Sequence, residues 1–240
     1  METSTDSDVG IKFRKHLTPK SGVIGERCLF TISVGASKQS VSDLVYAYLW
    51  AKKRFNIKGI LLGDGLYRIT LKICHGLSDS EAHAKSIQTG SNLLWRMLDG
   101  VQSPDIDIFK TSDILLRPEF EEARERIYRL YHSQPLFRES VASDANIFVD
   151  RQLKNGTLNI IKTKAVDLSI FYLIQEIAVY LVMAERGWLT EVYLGNEIPA
   201  LAKIMNNEIP GAPEALTQRV NIGLQKRLKK PRTQLLLEAA

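Results

Sequence analysis

The chain has 240 residues, 45% of them apolar and 25% charged, with a net charge of +5. That length allows one large α/β domain or two small ones, with ample apolar surface for a core. The opening METSTDSDVG has no apolar h-region, which argues against secretion and for a cytoplasmic protein. Cys28 and Cys74 lie in apolar contexts and read as core residues of a reducing compartment, not as a disulfide or metal pair. The four histidines lack metal-like spacing to each other or to a cysteine, so no metal is expected.

Residues 1–22 are polar and predict a segment outside the fold; residues 23–222 predict a single domain, and 223–240 a basic tail. Lys12, Arg14, Lys15 and Lys20 gather near the start, and KRLKKPR (226–232) near the end. Such clusters serve either as polyanion-binding patches or as solvated tails. RCLFTIS (27–33) predicts a buried strand. Apolar residues at Val41, Leu44, Val45, Tyr48, Leu49 and Phe55 then predict a helix, with Ser40 and Asp43 as its capping pair. KGILLGDG (58–65) reads as a second strand, whereas LYRITLKICHGL (66–77) is ambiguous between strand and irregular structure.

Ser78 and Glu81 have capping-box spacing before a helix that runs to about Leu98 and stops at Gly100. DIDIFK (105–110) is a third strand candidate. Pro118 and Pro135 each suit the first turn of a helix. A long apolar helix is predicted over 166–186, with Gly187 just past its end. WLTEVYL (188–194) is a further strand and PALAKIMNN (199–207) a short helix. Strands alternating with helices predict an α/β domain on a parallel sheet.

The long apolar segment is not a clean membrane span, because Asp167, Gln175, Glu176, Glu185 and Arg186 interrupt the ~20 apolar residues that a span requires. A buried core helix is expected instead, and that makes Glu176 conspicuous. A lone buried carboxylate must find a partner or take up a proton. Tyr172, four residues earlier, shares its helix face. Either the two serve internal bonding, with a neighbouring Arg for the glutamate, or they serve a ligand.

In open parallel sheets ligands bind beyond the carboxyl ends of the strands. Ser33 stands at that rim after CLFTI, and Gly35 and Ala36 behind it allow close backbone approach and free amide donors. The surroundings are not a G-x-S-x-G elbow, a G-x-G-x-x-G fingerprint or a Walker loop, and no histidine sits in an evident triad context. A serine hydrolase and a nucleotide-binding dehydrogenase are therefore disfavoured.

ISVGAS at a strand end, WAKKRF (50–55), YLIQE (172–176) and VYLGNEIP (192–199) occur in an order that resembles the cyclodipeptide synthases, over roughly residues 25 to 210. Members of that family make cyclic dipeptides from two aminoacyl-tRNAs. The resemblance implies a Rossmann-like three-layer α/β domain with a mainly parallel central sheet, related to the catalytic domains of class I tyrosyl- and tryptophanyl-tRNA synthetases. It implies no cofactor, since the tRNA ester is already activated. Ser33 would be the nucleophile, passing through aminoacyl- and dipeptidyl-serine. Tyr172 and Glu176 would hold the α-amino group of the first aminoacyl moiety, and Tyr193 would act in later steps.

By position, Leu29 and Leu61 should line the first aminoacyl pocket beside Gly35 and Ala36, with Val179 and Glu191 as neighbours, although Glu191 could equally face solvent from its strand. Leu194 follows Tyr193 where histidine, glutamine or proline is usual, and the stretch from Tyr193 to Pro199 is one residue longer than the pattern. Lys85 and Arg96 are the candidate tRNA contacts on the helix after residue 79. Two aminoacyl-tRNAs are the expected partners of a monomer with neither membrane nor protein partner. The alternative is a non-catalytic tRNA-binding module with a synthetase-like fold.

Overall fold

The structure, a computed structural model, describes residues 11–35, 39–101 and 106–228. Six strands form one sheet in the order β1-β6-β5-β2-β3-β4. They are β1 (Ile11–Thr18), β2 (Cys28–Ile32), β3 (Ile57–Leu62), β4 (Asp107–Lys110), β5 (Thr190–Leu194) and β6 (Val220–Leu228). All neighbouring pairs are parallel except β1 with β6. The expected Rossmann-like, mainly parallel sheet is present, with helices packed on it.

One core cluster joins Leu29, Leu61 and Trp188 to α5 (Pro118–Ser133), α6 (Pro135–Lys154) and α7 (Lys162–Glu185). Another joins Phe30, Ile32 and Val192 to α1 (Val41–Lys52) and α3 (Asp79–Val101). Successive strand residues point to opposite faces, so the apolar strand runs feed both clusters. By length and composition α7 could cross a membrane, but it is a core helix, with an unbroken buried run from Ile177 to Ala184. Gly187 follows it with φ +82°, as the expected terminator.

The sheet extends into both terminal segments. Ile11 pairs with Leu228 and Thr18 with Asn221, so the domain boundaries expected at 23 and 222 are too narrow. Phe13 and Leu17 alternate with basic residues along β1 and pack into the second core, whose inner row includes Leu224. This pairing sets part of each basic cluster in register, with Lys12 opposite Arg227 and Phe13 opposite Lys226.

The ambiguous stretch LYRITLKICHGL is helical, in α2 (Asp64–His75). The start of that helix is fixed by distant residues. The buried Asp64 carboxylate accepts hydrogen bonds from the Gly65 amide (2.7 Å), the Thr111 hydroxyl (3.1 Å), and the Ser112 amide and hydroxyl (3.0 and 2.8 Å). Thr111 and Ser112 open α4 (Thr111–Ile114), so one carboxylate locks two helix starts over the end of β3. The Ser40–Asp43 capping box of α1 forms as expected, and Lys226 binds Asp43 at 2.5 Å, tying α1 to β6.

A fully buried ion pair holds α7 against β5 and β6. Arg219 Nη2 donates to Glu191 Oε2 at 2.5 Å, Nη1 donates to the Tyr180 carbonyl at 3.3 Å, and the guanidinium lies 4.3 Å from the Tyr180 ring centroid. The Tyr180 hydroxyl donates to Glu191 Oε1 at 3.0 Å. Breaking such a pair from one side strands the other charge, at a cost of about 3–5 kcal/mol. Arg219→Met should therefore lower unfolding free energy by about that amount in urea titrations. The double variant Arg219→Met/Glu191→Leu should recover part of the loss, and equal losses would contradict the coupling.

Candidate functional site

The chain runs from β2 through β3 to β4 on one side, then returns to lay β5 and β6 on the other. The strand order therefore reverses between β2 and β5, and the crevice beyond their carboxyl ends is the natural ligand position of an open α/β sheet. Ser33 follows the last residue of β2, and Tyr193 is the penultimate residue of β5, with Thr31 and Tyr193 paired in register. The nucleophile candidate and this phenol thus face each other across the switch point, and their hydroxyls are hydrogen-bonded.

The backbone around Ser33 is tightly drawn. The Gly63 amide donates to the Ile32 carbonyl at 2.9 Å, closing β3 onto the end of β2. Gly35 has φ +80°, and a Cβ there would stand 2.0 Å from the Tyr67 ring. Only glycine fits, in both conformation and space. The Tyr193 ring is seated in a similar way. It folds back over Gly195 (φ +154°), where a Cβ would meet its ring at 2.7 Å.

Above this rim α7 presents Tyr172, Glu176 and Tyr180 at four-residue intervals, one face of a helix. The Tyr172 hydroxyl donates to the Glu176 carboxylate. Tyr172, Glu176 and Tyr193 keep some solvent contact while largely enclosed by protein. Burial, and then the negative charge of Glu191, push the Glu176 carboxyl up to about 8; the Tyr172 hydrogen bond opposes this only in part. Burial and the Glu176 charge push the Tyr193 phenol up to about 12, against the downward pull of hydrogen bonds from Ser33 and Gln39. Ser33, Tyr172, Glu176 and Tyr193 thus form one polar group.

The expected pocket residues divide. Leu29, Leu61 and Val179 are buried together in the core cluster beneath α7. Glu191 does not face solvent; it is buried on the strand position paired with Leu29 and is neutralised by Arg219. Leu194 is corrected as a lining side chain. Strand alternation turns it to the opposite face, where it packs with Val192 and Leu224, and only its carbonyl is turned to the site's neighbours, accepting from Gln39. Ala36 lies outside the described residues. Lys85 and Arg96 are both exposed on α3, and eleven residues is close to three turns, so they share a helix side.

Sequence reasoning missed Gln39, Gly195 and Arg219. Gly195 opens the stretch that the sequence reading marked as longer than the pattern, and could have signalled the ring lying over it. The extra residue in this segment is accommodated by the Gly195 conformation and by Glu197, whose carboxyl hydrogen-bonds the side chains of Thr18 and Asn221. Among the described residues no group of three or more His, Cys, Asp or Glu is placed to hold a metal ion.

A family model described as cyclodipeptide synthase matches residues 17–185, well over half of the chain. No curated protein sequence matches. A solved cyclodipeptide synthase from Fluoribacter dumoffii superposes with a TM-score of 0.75 at 21% identity, covering 90% of this chain and 98% of that one. One from Mycobacterium tuberculosis, described as related to type I tRNA synthetases, superposes at 0.60 with 14% identity over 85% of this chain and 87% of its own. One from Candidatus Glomeribacter gigasporarum, solved bound to Phe-tRNAPhe, gives 0.58 at 15% identity over 86% and 89%. The structural likenesses establish a shared fold, and the family model adds the lineage: the chain belongs to the cyclodipeptide synthase family.

Proposed function

We propose that this enzyme joins the aminoacyl groups of two aminoacyl-tRNAs into a cyclic dipeptide, by way of an ester on Ser33. The observation that carries the reading is the convergence of Ser33, Tyr193, Tyr172 and Glu176 at the switch point of the sheet. Ser33 Oγ attacks the carbonyl carbon of the first aminoacyl ester, and its proton leaves with the ribose oxygen of the departing tRNA. A serine can work here without a histidine base because the substrate is already activated. The α-ammonium of the bound residue supplies the cation that Glu176 lacks, with Tyr172 fixing the carboxylate.

The amine of that residue then attacks the ester of the second aminoacyl-tRNA, releasing the tRNA and leaving a dipeptide on Ser33. The new terminal amine attacks the Ser33 ester and the diketopiperazine leaves. Leu29, Leu61 and Val179, apolar and grouped beneath Tyr172, favour an apolar first side chain. The tRNA would meet the exposed side of α3 that carries Lys85 and Arg96, together with the basic β1–β6 edge. A need for charged tRNA supports a cytoplasmic enzyme.

Incubation with a mixture of charged tRNAs should yield diketopiperazines detectable by mass spectrometry, in amounts that fall steeply with salt. Ser33→Ala should reduce them to background, and undiminished product from that variant would refute the role of Ser33.

Glu176 gives a second test, of sign as well as size. Held near 8, it is mostly protonated in the empty site at pH 7 and must release that proton to pair with an ammonium. First-substrate loading should rise about tenfold per pH unit below 8 and then level, and Glu176→Gln should lack that limb. Its folded value also lies above the unfolded 4.5, so the folded state retains a proton that the unfolded chain has lost. Stability should therefore fall as pH rises from 4.5 to 8. Glu176→Gln should melt higher than the parent at pH 8 while losing product, and a lower melting point would contradict the assignment.

A further inference from the structure

Gln39 immediately precedes the Ser40 cap of α1 and reaches across to the end of β5. Its Nε2 donates to the Leu194 carbonyl, and the same side chain hydrogen-bonds the Tyr193 oxygen, on which Ser33 also converges. An amide nitrogen carries two N–H groups, so it can make both contacts at once. The other end of the amide is idle: Oε1 is buried with no partner among the described residues. A glutamine that only filled space would gain by finding that oxygen a donor. This one aims its donors at β5.

The hydroxyl of a phenol has one proton to give and can accept at its oxygen. In the resting site the Ser33 hydroxyl and the Gln39 amide both hydrogen-bond the Tyr193 hydroxyl. Once Ser33 is esterified its Oγ has no proton, so only Tyr193 can be the donor in that pair. Gln39, having no lone pair on nitrogen to offer, still donates from the other side. The result is a one-way chain of hydrogen bonds, from amide to phenol to serine oxygen, and each donor strengthens the next as an acid.

We propose that Gln39 is a positioning residue for ring closure: by donating to the Tyr193 oxygen, it directs the phenol proton at Ser33 Oγ and holds the phenolate that forms when that proton is delivered. This rests on the Ser33-ester reading above. In the closing step the terminal amine forms a C–N bond to the ester carbonyl, the C–Oγ bond breaks, and its electron pair leaves on Oγ. Oγ takes the Tyr193 proton, and the phenolate recovers one from the nitrogen that has become an amide. No external acid or base is consumed. The first acylation needs none of this, because the Ser33 proton departs with the tRNA ribose.

The experiment is intact-mass analysis of the full-length enzyme after mixing with charged tRNAs, comparing the parent with Gln39→Met and Gln39→Glu. All three should acquire the aminoacyl adduct at similar rates, which also reports that the variants are folded. Gln39→Met should accumulate the dipeptidyl adduct and release diketopiperazine at least tenfold more slowly. Gln39→Glu should be slower still, because its carboxylate draws the phenol proton toward itself. A merely space-filling residue predicts the opposite order, since glutamate is the nearer isostere. Parental release by Gln39→Met, faster release by Gln39→Glu than by Gln39→Met, or a block before the dipeptidyl adduct would overturn the inference. Absence of any adduct on the parent would instead overturn the Ser33 ester itself, and this inference with it.

Discussion

A carboxyl group enclosed by protein, with no cation paired to it among the described residues, organises this site. Glu176 lies beneath a tyrosine, with another carboxylate, Glu191, raising its proton affinity from behind. Arg219, the one fully buried cation among the described residues, is already paired with Glu191. The protein therefore maintains a place where positive charge is wanted and none is supplied by the described residues. On the proposed reading, an α-ammonium would satisfy it at the point where the Ser33 hydroxyl would receive the attached acyl group.

The fold explains why these groups meet. The reversal of strand order puts β2 and β5 side by side, so that residues 160 apart in the chain, Ser33 and Tyr193, share one rim. The helix that crosses above them is held at its depth by the Arg219–Glu191–Tyr180 cluster, which joins α7, β5 and the entry to β6. Glycines at 35 and 195 admit aromatic rings where any side chain would collide. The rigid elements thus carry the reactive groups, and the charge imbalance is confined to one carboxyl.

Much of this is legible in the residues. The strand CLFTI, the small residues after Ser33 and the polar pair inside an apolar helix are local patterns, and local patterns survive in a sequence. What stayed hidden is tertiary. The α2 start depends on Thr111 and Ser112, and β1 on a partner more than 200 positions away. Its period-2 alternation is diluted by lysine and arginine, so it reads as a charged tail. Leu194 looked like a missing functional group until alternation along β5 turned it to the other face, and the buried partner of Glu191 comes from outside any motif.

The central claim is that an aminoacyl group becomes covalently attached at Ser33, and it is tested most directly by locating the label. The enzyme would be mixed with tRNA charged with a radiolabelled amino acid, quenched in acid within seconds, and digested with trypsin. The account predicts label on the peptide spanning 28–38, released by mild base and absent from Ser33→Ala. Label on another peptide, or cyclic product formed with no protein-bound label at any time point, would contradict it.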